Sequence, residues 1–290
     1  MSKSINRNSK CWCGSGFKYK KCHSLFDEKL KWFIDQGYVV PDNSLILNKS
    51  QIDGVKESGV LNSTLLDYIS DKLHIGMSTE EIDQVIYRET IRLGGLPATL
   101  NYNGYPKSLC TSINDQVCHG IPSEKVKLKD GDILNIDVST IYNGYYSDSA
   151  RVFCIGNVNE EERTLVEVAK ESIDVGLSKV IPWTSMRHIG EAISKFATAH
   201  DYRIAQNIGG HGIGLKFHEE PYVSYNKKGT DLLLVPGMVF TIEPAVNMGT
   251  GEVFEDANNG WTIYTKDQKP SAQWEVTVLV TDSGYEIIAN

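Results

Sequence analysis

Asp132-Ile-Leu-Asn-Ile-Asp-Val-Ser-Thr-Ile-Tyr-Asn-Gly-Tyr-Tyr-Ser-Asp-Ser-Ala-Arg-Val-Phe-Cys-Ile155 reads as one β-hairpin. Asp132 to Thr140 and Tyr145 to Ile155 are rich in β-branched and aromatic residues, and Asn143-Gly144 between them is the strongest short hairpin signal. With that pair at the turn, Asp148 lies across from Ser139. Asp137, two places from Ser139, shares its face and is diagonal to Asp148, about 7–8 Å away at the backbone. Two carboxylates aimed the same way from strands otherwise full of Ile, Val, Leu and Phe repel strongly unless a cation lies between them. For this pair alone, a solvated sheet face is the competing explanation.

Other interrupted strands extend the pattern. Glu243 breaks the apolar run Val239-Phe-Thr-Ile-Glu-Pro244, and Glu275 breaks Trp274-Glu-Val-Thr-Val-Leu-Val280. Buried carboxylates need partners, and no Lys or Arg neighbours either strand centre. His211 sits in Gly209-Gly-His-Gly-Ile-Gly214, where glycines permit close backbone approach. Four carboxylates and an imidazole form an oxygen-rich set suited to two divalent ions bridged by carboxylates and water. His119, in Val117-Cys-His-Gly-Ile-Pro122, and His218, in Phe217-His-Glu-Glu-Pro221, are candidates for roles beside the metals or toward a substrate. The Gly-x-Gly spacings near His211 lack both the dinucleotide-fold context and a Gly-Lys-Ser/Thr sequence, which argues against a phosphate loop.

Around these strands the periodicity predicts helices over Leu25 to Val40 and residues 50–75, although Gly54 and Gly59 weaken the second. Ser78-Thr-Glu-Glu81 is a capping box opening a helix to Leu93, and Asn159 to Glu162 repeats the signature. A further helix is expected from Ser185 to His200. No parallel βαβ repetition is evident, so the expected class is α+β, with helices packed on an antiparallel sheet.

The chain has 290 residues, 41% hydrophobic and 23% charged, enough to bury a core without disulfides. It has no apolar run long enough to span a membrane. Its polar start, Met1 to Lys10, lacks the apolar stretch of a secretory signal, so a cytoplasmic location is expected. The net charge of −8 hides an asymmetry: residues 1–31 carry eight Lys/Arg against Asp27 and Glu28, a net +6, leaving −14 for the remainder. A basic head on an acidic body suits a polyanionic partner, though a solubilising tail has the same charge.

That head contains Cys11, Cys13, Cys22 and His23, spaced like metal ligands rather than like a disulfide framework. The segment is too small for an apolar core, and a bound ion supplies folding energy in such modules. Pro41-Asp42-Asn43-Ser44 reads as a linker, which divides the chain into a 1–40 extension and a 41–290 main domain.

The chain resembles the type I methionine aminopeptidases. The shared stretches run in family order: Tyr102-Asn-Gly-Tyr-Pro-Lys-Ser108, Ser112-Ile-Asn114, Val117 to Pro122, Asp130 to Asp137, Gly210-His-Gly-Ile-Gly214, Phe217 to Pro221, Pro236-Gly-Met238, Thr241-Ile-Glu-Pro244 and Ser271-Ala-Gln273. The resemblance implies a pita-bread fold, a pseudo-two-fold curved antiparallel sheet with helices outside. One ion would be held by Asp148, His211, Glu243 and Glu275, the other by Asp137 with Asp148 and Glu275 bridging. It implies that His119 meets the substrate amide, His218 steadies the scissile carbonyl and Glu243 shuttles the proton. Tyr102, Tyr105, Cys110, Phe217 and Trp261 would line the methionine pocket, with Thr99 beside them. The implied reaction is removal of the initiator methionine from nascent proteins by a metal-activated hydroxide, with a small second residue preferred. Manganese, iron or cobalt would serve, and zinc is a further candidate.

Two departures stand out: relatives commonly carry Tyr or Phe where Trp274 stands and His where Val276 stands. An X-Pro peptidase of the same fold carries a large amino-terminal domain, and type II methionine aminopeptidases carry a long insertion between the histidine and the first glutamate. Neither feature is present here. A non-catalytic protein on this fold would lack ligands, and all five positions are filled. The amino-terminal pattern resembles the SEC-C motif, which implies one zinc on Cys11, Cys13, Cys22 and His23 and a ribosome or protein partner. A monomer is the family default.

Overall fold

A computed structural model describes residues 5–225 and 231–290, so Lys3 of the basic start lies outside the described residues. The predicted hairpin is its centre. Strands Ile133–Tyr142 and Tyr145–Cys154 pair antiparallel, with Ser139 opposite Asp148 and Asp137 opposite Ala150, the register expected from an Asn143-Gly144 turn. Strands Leu96–Pro97 and Cys110–Ile113 share the hairpin's other edge.

Helices α1 (Ser24–Asp35), α2 (Lys49–Ser70), α3 (Thr79–Arg92), α4 (Glu160–Leu177) and α5 (Arg187–Ala199) surround the strands. The capping box at Ser78 and Glu81 forms in both directions, and Asn159 caps α4 by accepting from the Glu162 amide at 2.9 Å. Helix α2 runs through both glycines that weaken it on paper. A Cβ at Gly54 would stand 2.3 Å from the Tyr145 ring, and one at Gly59 would stand 2.2 Å from the Ile288 carbonyl oxygen. Close packing, rather than helix propensity, selects glycine there. On the hairpin's back face Leu65, Leu66 and Ile69 of α2 and Ile82 and Ile86 of α3 share a core with Leu134, Ile136 and Val138. Ser58 of α2 reaches the hydroxyls of Ser147 (2.9 Å) and Thr140 (3.1 Å) between them.

A five-stranded antiparallel sheet forms the second half, in the order Tyr285–Ala289, Val276–Val280, Val239–Ile242, Gly209–Gly212 and Glu219–Ser224. Helices α4 and α5 cover it, burying Leu165, Ile173, Leu177 and Ile193 with Phe240, Ile242 and Val278. Each half is thus a sheet backed by two helices, and the class is the expected α+β.

The two glutamate-bearing strands differ from expectation. Instead of single strands over Val239–Pro244 and Trp274–Val280, each is broken. Val239–Ile242 pairs with Val276–Val280 on one side, and Ala245–Asn247 pairs with Ser271–Gln273 on the other. Register carries through the gap, so Glu243 and Glu275 face each other at the break. Pro244 has no amide to donate there. Glu275 bonds elsewhere: its N–H donates to the Ala150 carbonyl (3.0 Å), and the Ala150 N–H donates back (3.3 Å). That exchange joins the two halves.

The amino-terminal extension packs against the main domain. Leu30 and Phe33 of α1 belong to the same core as α4 and α5, and Phe33 stacks on Trp183 at 5.7 Å. Asp42 caps a short turn at Asn43–Leu45, and the Leu233 amide donates to Val39 (2.8 Å). Among the described residues no helix is long and apolar enough to cross a membrane.

Candidate metal centre

All five acidic and imidazole candidates meet at one cavity of about 390 Å³. Asp137 and Asp148 come from the hairpin, His211 from the strand Gly209–Gly212, and Glu243 and Glu275 from the strand breaks. Ligand atoms of Asp148, His211 and Glu275 lie within 4.8 Å of one another. Glu243 joins them through a 3.6 Å approach of its Oε1 to His211 Nε2, while Asp148 Oδ2 is 3.9 Å from the same nitrogen.

These approaches are not ion pairs. Burial lowers the His211 pKa to about 4, so the ring is neutral at ordinary pH. His211 Nδ1 lies 3.0 Å from the Gly212 carbonyl, which can only accept, so Nδ1 carries the proton. Nε2 therefore turns a lone pair toward the carboxylates, the tautomer a metal-ligating histidine needs. Separations of 3.6 and 3.9 Å are too long for hydrogen bonds. They match two metal–ligand bonds of about 2.1 Å each.

The described residues bring no counter-charge to the carboxylates. Among the described residues no Lys or Arg pairs with any of the four. Burial pushes the Asp137 pKa up to about 6 and that of Glu243 to about 8. Burial, then the neighbouring acids, raises Asp148 and Glu275 well above the carboxylate range. Asp137 Oδ1 and Glu275 Oε1 are buried without any hydrogen-bond partner. Orphaned acceptors beside like charges fit divalent cations.

Three of the other carboxylate oxygens are held by hydrogen bonds. Ser139 donates to Asp148 Oδ1 (2.9 Å), Thr241 to Glu243 Oε1 (2.7 Å) and Gln273 Nε2 to Glu243 Oε2 (3.2 Å). Glu243's amide donates to the buried Tyr225 hydroxyl at 2.6 Å. Thr241 and Gln273 enter the sequence reading only within shared family stretches, without a role, and Tyr225 does not enter it. A hint lies in the spacing, because Thr241 and Glu243, like Glu275 and Thr277, are two apart and share a strand face.

Above the acids stand the other predicted residues. Tyr102, Tyr105, Cys110, Phe217, Trp261 and Thr99 all line the cavity. Tyr102 meets Phe217 edge-on at 4.7 Å, and Tyr105 meets Trp261 at 5.1 Å. His218 stacks on Tyr102 (5.1 Å) and lies 4.1 Å from the His211 ring, while His119 approaches Trp261 at 6.2 Å. Burial, reinforced by the neighbouring histidines, lowers the His218 pKa to about 3; burial lowers that of His119 as well. Both are neutral hydrogen-bonding groups. Tyr222, which the sequence did not reveal, is opposite His211 in the ladder and stands on the cavity wall. Val276, beside Glu275, lies in the apolar core.

The cysteine cluster assembles separately. One ligand atom from each of Cys11, Cys13, Cys22 and His23 lies within 4.8 Å of the others. His23 Nδ1 is 3.2 Å from both Cys11 Sγ and Cys22 Sγ, and Cys13 Sγ is 3.6 Å from Cys22 Sγ. That sulfur separation is far beyond a disulfide and close to the edge, about 3.8 Å, of a tetrahedron with 2.3 Å zinc–sulfur bonds. Asn48 Nδ2 donates to the Cys13 carbonyl (2.8 Å), tying the cluster to the start of α2.

Comparison with known proteins gives two family matches, the metallopeptidase family M24 over residues 53–282 and the SEC-C motif over residues 7–25. The methionine aminopeptidase of Chlamydia muridarum (strain MoPn / Nigg) is 38% identical over 287 residues, covering 98% of each chain. That of Escherichia coli (strain K12) is 41% identical over 245 residues, covering 84% of this chain and 92% of the relative. The crystal structure of methionine aminopeptidase from Rickettsia prowazekii superposes with a TM-score of 0.82 at 37% identity, covering 84% of this chain and 99% of that one. Prolidase from Pyrococcus furiosus, 22% identical with a TM-score of 0.67, shares the fold.

Proposed function

The chain belongs to metallopeptidase family M24 as a methionine aminopeptidase that removes the initiator methionine, and we propose that Asp137, Asp148, His211, Glu243 and Glu275 carry the reaction on two divalent ions. The observation that supports this assignment most is the set of four carboxylates, Asp148 and Glu275 buried and Asp137 and Glu243 half-buried, with which no described lysine or arginine pairs. One ion would be held by Asp148, His211, Glu243 and Glu275. The other would be held by Asp137 together with Asp148 and Glu275. An oxygen-rich donor set suits manganese, iron or cobalt, with zinc as a further occupant. When bound, the ions supply Lewis acidity and a water acidic enough to ionise near neutral pH.

The protein's own groups do the rest. The aromatic wall of Tyr102, Tyr105, Phe217 and Trp261, with Cys110, encloses an unbranched thioether and excludes water around it. Neutral His218 donates an N–H to the scissile carbonyl oxygen, whose negative charge grows as the carbon becomes tetrahedral. His119 holds the substrate amide. Glu243 accepts the proton released by the attacking water and delivers it to the leaving amine as the C–N bond breaks. A confined cavity favours a small second residue.

Loading with Mn²⁺, Co²⁺ or Fe²⁺ is expected to give turnover of Met-Ala-Ser and none of Lys-Ala-Ser. Metal-loaded protein that leaves the methionyl peptide uncut would sink this assignment.

Residues 1–40 form the zinc-binding extension and residues 41–290 the catalytic domain. Zinc on Cys11, Cys13, Cys22 and His23 would hold a basic module in which Arg7, Lys10, Lys18, Lys20 and Lys21 are exposed. Such a surface suits ribosomal RNA and would bring a monomeric, cytoplasmic enzyme to nascent chains. Removing residues 1–30 should abolish co-sedimentation with ribosomes. Unchanged co-sedimentation would rule the docking role out.

A further inference from the structure

We propose that Thr241 and Thr277 are positioning residues that index four ligand-bearing segments to one another, an inference that rests on taking the carboxylate cluster as the metal centre. The two threonines are direct cross-strand partners, both fully buried. Their neighbours Val239, Phe240, Ile242, Val276 and Val278 are apolar and buried, so valine would suit either position equally well if only packing mattered.

Each hydroxyl is instead used as both acceptor and donor. Thr241 Oγ1 accepts from the His211 amide (2.9 Å) and donates to Glu243 Oε1 (2.7 Å), linking the backbone of one ligand to the side chain of another. Thr277 Oγ1 accepts from the Asp148 amide (3.2 Å) and donates to the Asp148 carbonyl (2.7 Å). It thus replaces the ladder bonds that a closer strand would make.

Thr241 therefore ties the strand Gly209–Gly212 to the first strand break, and Thr277 ties the hairpin to the second. Because the pair is opposed, the positions of Asp148, His211 and Glu243 are referred to a single cross-strand contact. Ligand donors must be placed to within about 0.5 Å for binding of full strength. A valine would leave the His211 N–H and the Asp148 amide buried without partners, and would let the Glu243 carboxylate rotate.

The test uses the full chain with Zn²⁺ retained at the amino-terminal cluster and Co²⁺ titrated into the catalytic site, followed by calorimetry and visible absorption. Thr241→Val and Thr277→Val should bind Co²⁺ about 10–100-fold more weakly, with an altered cobalt spectrum for Thr241→Val. Thr241→Ser and Thr277→Ser, which keep the hydroxyl, should stay within about threefold of the parent. A folded Thr241→Val protein with parental Co²⁺ affinity and spectrum would overturn the proposal. So would serine variants that lose as much as the valine variants, and these decide the matter if valine prevents folding. A parent protein that takes up no Co²⁺ would overturn the metal-centre assignment itself, a result separable from the others.

Discussion

Ala150 and Glu275 exchange main-chain hydrogen bonds in both directions, and Ala150 is also the hairpin partner of Asp137. Its methyl group consequently stands between two carboxylates on one face of three adjacent strands. A small residue there keeps the space that the ion assigned to Asp137 needs.

Ala150→Leu is therefore expected to lower the metal content by one ion and reduce turnover of Met-Ala-Ser at least tenfold. Overpacking at a buried site would also cost about 1–3 kcal/mol of stability. Metal content by elemental analysis and the thermal midpoint check the two effects separately. Full metal content in a folded variant would show that the gap beside Ala150 is not needed for binding.

Metal removal should reverse the pH dependence of stability. Asp137 and Glu243 have folded-state pKa values raised to about 6 and about 8, above the values of roughly 4 expected when unfolded. The folded state then binds these protons more tightly than the unfolded state does, so their contribution is complete below about pH 4 and is lost as pH rises toward 8. The chelated protein should melt at a lower temperature at pH 8 than at pH 5.5, and Glu243→Gln should flatten that slope. With Mn²⁺ bound the slope should invert, because protons compete with the ion for the same oxygens. Calorimetric scans with chelator and with Mn²⁺ decide it; identical slopes would count against a cation-neutralised cluster.

His218 touches both the aromatic wall and the His211 ring without belonging to the ligand set. Its substitution should separate catalysis from metal binding. His218→Ala is expected to lower kcat about 10²–10³-fold, the usual cost of losing one donor to a developing oxyanion. KM and Co²⁺ affinity should change by no more than about threefold. A rise in KM at constant kcat would reassign His218 to substrate binding.

Which of these features the sequence disclosed depends on how local their causes are. The Asp137–Asp148 diagonal was legible because Asn143-Gly144 sets a two-residue turn, and the turn sets the register. The amino-terminal cluster was legible because its four ligands lie within thirteen residues of one another. The strand breaks were not, since Val239–Pro244 and Trp274–Val280 each read as one strand carrying a single glutamate. What breaks the second is a bond to Ala150, more than a hundred residues earlier. Thr241 and Thr277 read as ordinary strand formers for the same reason: their hydroxyl partners sit on other strands. The packing of α1 against Trp183 was hidden too, because an apolar helix face does not say what it will meet.

Gly59 offers the sharpest separation of local propensity from packing. Within α2, an alanine would ordinarily gain about 1 kcal/mol over glycine. Here a Cβ would stand 2.2 Å from the Ile288 carbonyl oxygen and 2.6 Å from the Ile288 side chain, contacts that no rotamer change can relieve on the backbone side. The helix would have to lift away from the carboxyl-terminal strand Tyr285–Ala289. Gly59→Ala should therefore destabilise the protein by about 1–3 kcal/mol, opposite in sign to the propensity effect. Because the site lies on the opposite side of the hairpin from α2, Co²⁺ affinity should hold while the protein remains folded. Urea denaturation at fixed pH and saturating Mn²⁺ measures the change, and a stabilised variant would show that the helix shifts freely at this contact.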